Sequence, residues 1–154
     1  MREKIFNLLN LSDKVSKLKN QGKKIVHCHG VFDLLHIGHL NYFKEAKKLS
    51  DFLVIGLNSD RWLIDKKKQA FQDWDERANI IKHLNMVSMV ISWDDSDKTA
   101  CGAIKKCLSI ADRVIFANGG DRIIGNTPEL EAYNDDKRVI FKWGVGGEYK
   151  INSS

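Results

Sequence analysis

His29-Gly30-Val31-Phe32-Asp33-Leu34-Leu35-His36-Ile37-Gly38-His39 is the stretch on which the reading of this chain turns. A mostly apolar run at residues 24–29 leads into it and reads as a buried parallel strand. Residues 40–49 follow and read as a helix, so the stretch is a strand–loop–helix junction with Gly30 at the bend. In an open parallel sheet, ligands bind outside the carboxyl ends of the strands. A helix start at that place offers free N–H groups and partial positive charge to a phosphate. His36 and His39, three apart, share one face of the first turn. Gly38 between them lets a bulky ligand approach the backbone. Two imidazoles and a helix start on one point suit a phosphoryl group. The competing reading is a metal pair, with His27 and His29 available but no third ligand at a matching spacing.

The rest of the chain alternates strand and helix signals. Residues 52–57 read as a second strand, followed by a polar strand end at Asn58-Ser59-Asp60. Lys66-Lys67-Lys68 reads as a charged loop. Asp73-Trp74-Asp75-Glu76-Arg77 opens a helix that runs to His83, its acids in the first turn. Residues 86–91, 113–116 and 138–141 read as the third to fifth strands, with a helix over 99–108. Thr127-Pro128-Glu129 is a helix start, a cap followed by Pro and Glu. This alternation predicts a Rossmann-like, doubly wound α/β domain with a five-stranded parallel sheet. Residues 1–23 form a helical leader and residues 24–154 the functional domain, in which the motifs cluster at the ends of strands one, two, four and five.

Composition narrows the partners. A charged fraction of 29% and an apolar fraction of 43% suit a globular fold, and no apolar run approaches the roughly 20 residues that span a bilayer. A cytoplasmic protein without a membrane segment is the expectation. The net charge of +5 is carried by residues 1–24, with seven Lys/Arg against two Asp/Glu, while the remainder is neutral. That distribution argues against a nucleic-acid partner. Cys28, Cys101 and Cys107 include no CxxC, so neither a disulfide framework nor a zinc site is expected. The apolar positions Ile5, Phe6, Leu8 and Leu9 of the leader call for a cover, and a homodimer is the expected one.

Gly30-Val31-Phe32-Asp33-Leu34-Leu35-His36-Ile37-Gly38-His39 resembles the signature of the cytidylyltransferase-like nucleotidyltransferases, a G-x-F-D…H-x-G-H pattern. The likeness extends over residues 24–153. The segment Leu53 to Asp60 looks like its counterpart in sugar-phosphate adenylyltransferases of the heptose type. Lys66 to Lys68 falls where glycerol-phosphate cytidylyltransferases carry a mobile lysine loop, and Glu76-Arg77 falls where the family's Arg reaches phosphates. The resemblance implies attack of an acceptor phosphate oxygen on the α-phosphorus of a nucleoside triphosphate, with Mg²⁺ travelling with the nucleotide and pyrophosphate leaving. It implies His36, His39, Lys66 and Arg77 as catalytic residues, with Lys67 an equal candidate for the lysine role. Gly30, Val31, Phe32, Asp33, Gly38, Asn118, Gly119, Asp121, Lys150 and Ser153 would hold the nucleotide, with Lys44 and Asn58 on the acceptor; no protein-held metal is implied. Asp33 also reads as a loop-ordering or capping residue, and Arg77 as an ion-pair partner of Asp73. CTP with a small polyol or sugar phosphate is the first expectation, ATP with a sugar phosphate the second. A catalytically silent nucleotide-binding regulator is the third.

Overall fold

The computed structural model describes residues 22, 24–120 and 122–147. Strand β1 (Lys24–Gly30) leads into helix α1 (Ile37–Lys47), then β2 (Phe52–Leu57), α2 (Asp60–Lys67), α3 (Trp74–Lys82) and β3 (Met89–Ile91). Helix α4 (Cys101–Ile110), β4 (Arg113–Ala117), α5 (Pro128–Tyr133) and β5 (Val139–Lys142) complete the order. All strands are parallel, in the order β3-β2-β1-β4-β5. The expected leader lies outside the described residues. No described helix is long and apolar enough to cross a membrane.

The strand order decides where a ligand can sit. From β1 the chain builds outward through β2 and β3, then returns to lay β4 on the other side of β1. The two crossovers therefore cover opposite faces. Val26 and Cys28 of β1 face α1 and α3, packing with Phe43, Ala46, Ala78 and Ile81. Ile25 of the same strand faces α4, packing with Ala103, Ile104 and Cys107. Helices leaving in opposite directions open a crevice at the carboxyl ends of β1 and β4. Cys28 behaves as the buried small hydrophobe its position suggests, at 0% exposure.

Helix boundaries follow local chemistry. Ser59 caps α2, its Oγ accepting the Trp62 N–H at 3.1 Å, and Asp73 caps α3, its Oδ1 accepting the Glu76 N–H at 2.8 Å. Lys66 and Lys67 are not in a loop: they form the last turn of α2, where cations oppose the negative helix end, and Lys68 stops the helix at φ 69°. The third strand is shorter than its apolar run, because Val87 still bonds back to Leu84 in the turn that ends the preceding helix. Helix α5 starts at Pro128 as expected, yet Thr127 does not cap it. Its hydroxyl instead donates to the Ile123 carbonyl and accepts from Trp143 Nε1.

His27 is fully buried and neither ring nitrogen has a hydrogen-bond partner among the described residues. Burial lowers its pKa to about 3, with the neighbouring His29 acting in the same direction and Glu129 opposing. The unfolded chain takes up a proton near pH 6.5 that the fold refuses. Stability is therefore intact above that value and is lost as pH falls from 6.5 towards about 3. Unfolding midpoints measured against pH should fall steeply in that window. In His27→Phe the slope should lose a component of up to about 1.4 kcal/mol per pH unit.

Candidate active site

The junction after β1 builds the centre of the site. His36 is the N-cap of α1 and His39 its third residue. Nδ1 of His36 accepts the Gly38 N–H, and Nδ1 of His39 accepts the His36 N–H, each at 3.1 Å. The histidines thus form a reciprocal capping box, with imidazoles in place of the usual Ser and Glu. This geometry sets the tautomers. A ring nitrogen that accepts carries no proton, so each neutral ring has its N–H on Nε2. The rings stack 3.7 Å apart, and His39 also meets the edge of Phe32. His36 Nε2 is buried and has no partner among the described residues. Burial lowers His39 to about 4, with His36 and Lys67 adding to it, so its ring is neutral at pH 7. Two Nε2–H donors are therefore oriented by the same backbone turn.

The loop between β1 and α1 is held from two directions. Phe32, at φ 50°, folds its ring over Gly30, where a Cβ would stand 2.9 Å from the ring. Asp33 accepts the Phe71 and Gln72 N–H groups at 2.8 and 3.0 Å, which is the loop-ordering role its position allowed. Arg77 corrects the expectation of a phosphate ligand. Its side chain is fully buried and donates to the carbonyls of Gln72 and Val31 and, at 2.8 Å, to Asp60. The ion-pair partner is Asp60, not Asp73, because Asp73 is already occupied as the α3 cap. Arg77 thereby holds the loop carbonyl of Val31 in place.

On the other side of the crevice, Asn118 ties the end of β4 to β5. Its N–H and Nδ2 both donate to the Lys142 carbonyl, while its buried Oδ1 has no partner among the described residues. Gly119 has a packing reason: a Cβ would sit 2.9 Å from the Tyr42 ring. Tyr42 itself, which the sequence did not single out, donates to the Ala117 carbonyl and pins α1 against β4. Asp121, Lys150 and Ser153 lie outside the described residues.

Of the acceptor candidates, Lys44 is exposed on α1, and Asn58 is committed, its Nδ2 donating to Asp95 at 3.1 Å. Asp95 also accepts the Ser59 N–H and hydroxyl. The lysine pair divides. Lys67 lies within electrostatic reach of His39, whereas Lys66 sits 5.5 Å over the Trp62 ring. Beside Lys66 is a cavity of about 590 Å³ between α2 and residues 93–98. Nothing in the sequence marked it, since its walls are some thirty positions apart in the chain.

A doubly wound parallel sheet with paired imidazoles opening its switch-point helix is a phosphate-handling nucleotide domain. Residues 27–139 match the family described as Cytidylyltransferase-like, and the chain belongs to that nucleotidyltransferase family. It is 40% identical over 144 residues to the Bifunctional protein HldE of Geotalea uraniireducens, covering 89% of this chain and 28% of that protein. It is 39% identical over 121 residues to the HldE of Citrifermentans bemidjiense, covering 77% of this chain and 23% of the relative. The chain thus spans about a quarter of the length of these relatives. The crystal structure of the lipopolysaccharide core biosynthesis protein from Thermoplasma volcanium GSS1 shares the fold, with a TM-score of 0.59 at 24% identity, covering 83% of this chain and 98% of that one.

Proposed function

We propose that this domain transfers an adenylyl group from ATP to a sugar phosphate. An acceptor phosphate oxygen forms a bond to the α-phosphorus, the bond from that phosphorus to the bridging oxygen breaks, and pyrophosphate leaves. The observation that carries the reading is the reciprocal capping of His36 and His39, which presents two preoriented imidazole N–H donors at a helix start. Such a transition state needs positioning and charge stabilisation more than a protein nucleophile. His36 and His39 would bond the α-phosphate and bridging oxygens, and Lys67 would face the outer phosphates. Gly30, Val31 and Gly38 would line the triphosphate. Asn118 Oδ1 would accept from the base or ribose, with Asp121 and the tail residues Lys150 and Ser153 as further candidates.

Sequence motifs alone lean to CTP; the relatives reverse that order. The segment Leu53 to Asp60 already looks like the heptose-type adenylyltransferases, and the curated relatives are HldE proteins. Mg²⁺ would arrive on the triphosphate and neutralise the departing pyrophosphate. A cytoplasmic homodimer is the setting we propose.

Pyrophosphate release, measured with each nucleoside triphosphate against sugar and polyol phosphates, tests the reading. ATP with a heptose or hexose phosphate should give the highest kcat/KM. A clear preference for CTP with glycerol 3-phosphate would restore the cytidylyl alternative, and release with no pair would leave a nucleotide-binding regulator.

A further inference from the structure

The ladder between β1 and β4 stops before either strand does. Its last matched pair is His27 with Phe116, while β1 goes on pairing with β2 as far as Gly30, and β4 with β5 as far as Ala117. The backbone groups of the next rung still face each other. Successive peptide groups of a strand point to opposite edges. The Gly30 carbonyl accepts the Asn58 N–H at the β2 edge, so the His29 N–H points to β4. The Asn118 N–H donates to the Lys142 carbonyl at the β5 edge, so the Ala117 carbonyl points to β1. A continuing ladder would join these two groups directly.

Tyr42 stands between them instead. Its hydroxyl donates to the Ala117 carbonyl at 2.5 Å, and the His29 N–H bears on the same oxygen from the β1 side. A phenol oxygen donates one bond and accepts another, so a single hydroxyl serves both backbone groups. Desolvation by burial, and then Cys28, hold its pKa well above the ordinary value, so the proton of the donated bond stays in place. A direct N–H···O bond sets its heavy atoms about 2.9 Å apart, and an inserted oxygen roughly doubles that span. The ring is gripped where it stands. A Cβ on Gly119 would meet it at 2.9 Å, and one on Gly146, at φ 91°, would meet the Tyr42 Cα at 2.9 Å. Tyr42 also follows His39 by three residues on α1, so the two are neighbours on one helix face.

We infer that Tyr42 is a positioning residue for nucleotide binding: its hydroxyl replaces one rung of the sheet and so holds the ends of β1 and β4 apart where the crevice opens. The inference rests on the nucleotidyl-transfer reading for what enters the crevice, but the binding it describes stands apart from turnover. Tyr42 touches no substrate in this scheme. It acts through two backbone groups, that of His29 before the Gly30 bend and that of Ala117 before Asn118. Phenylalanine would keep the ring between Gly119 and Gly146 and remove only the bridge. The freed N–H and carbonyl then pair with each other and close the rung, or stay unpaired and release the loops. Either outcome changes the width offered to the nucleotide.

Calorimetric titration of the full chain with ATP and Mg²⁺, beside steady-state pyrophosphate release, tests it. Tyr42→Phe should weaken ATP binding by about 10-fold or more and raise the KM for ATP to match, with the KM for the sugar phosphate within about twofold. Ile104→Val, buried against the opposite face of the sheet, is the control for stability alone. It should lower the unfolding midpoint and leave ATP binding within about twofold. The titration is run with CTP as well, so a preference for that base does not touch the inference. A folded Tyr42→Phe variant whose nucleotide affinity and KM stay within about twofold of normal overturns it. Should that variant not fold, amide exchange on the unaltered chain decides. The His29 amide, beyond the end of the ladder, should exchange as slowly as that of His27 within it, and fast exchange at His29 would overturn the bridge. If the unaltered chain binds ATP but releases pyrophosphate with no acceptor, and Tyr42→Phe weakens that binding, the positioning role stands and the proposed reaction falls.

Discussion

Alanine at His36 or at His39 should lower turnover by about 100-fold or more, the usual cost of losing one preorganised transition-state donor. The same change also removes half of a helix cap. Each ring accepts a backbone N–H at 3.1 Å, so each alanine variant should lose about 1 kcal/mol of stability. The rings therefore carry a structural role beside the chemical one. The two effects can be separated. His36→Asn keeps a good capping oxygen, and His39→Gln keeps a side chain able to complete the box. These variants should recover the unfolding midpoint and remain about 100-fold impaired in pyrophosphate release. Normal turnover in either one would show that its imidazole N–H is not used on the phosphates.

Arg77→Ala destabilises the fold by about 3 kcal/mol or more, because it strands three acceptors at once. The Val31 and Gln72 carbonyls lose their donor, and Asp60 loses a partner whose side chain is fully buried. Lysine retains the charge but not the planar fork, so Arg77→Lys should recover only part of the loss. Chemical denaturation gives the stability. Kinetics on the folded variant gives the second readout, an ATP KM near the normal value. A variant of normal stability whose KM for ATP rises sharply would return Arg77 to the phosphates. That outcome requires the guanidinium to leave the three bonds it makes here.

What the sequence determined by itself was the class of fold and the centre of the site. Alternating apolar runs and capped helices dictate a parallel sheet, since each strand must be buried on both faces and each crossover needs a helix. The pair His36 and His39 was legible because helix periodicity alone brings residues three apart together. Cys28 was legible for a similarly local reason, its place inside an apolar strand. Long-range contacts set everything else. The direction of Arg77 depends on Asp60 and on a loop carbonyl forty-six positions away, neither of which its neighbours in sequence reveal. Lys66 and Lys67 looked equivalent as a charge run. Only the folded helix separates them, setting Lys66 over the Trp62 ring and leaving Lys67 to act electrostatically on His39. The cavity beside Lys66 exists because Asp95, which reads as part of an acidic turn, closes a clamp on Asn58 and Ser59 across thirty-six and thirty-seven positions. A polar side chain shows its partner only once the chain has folded, because hydrogen-bonding capacity is written in the residue and the choice of partner is made by the sheet that brings distant loops together.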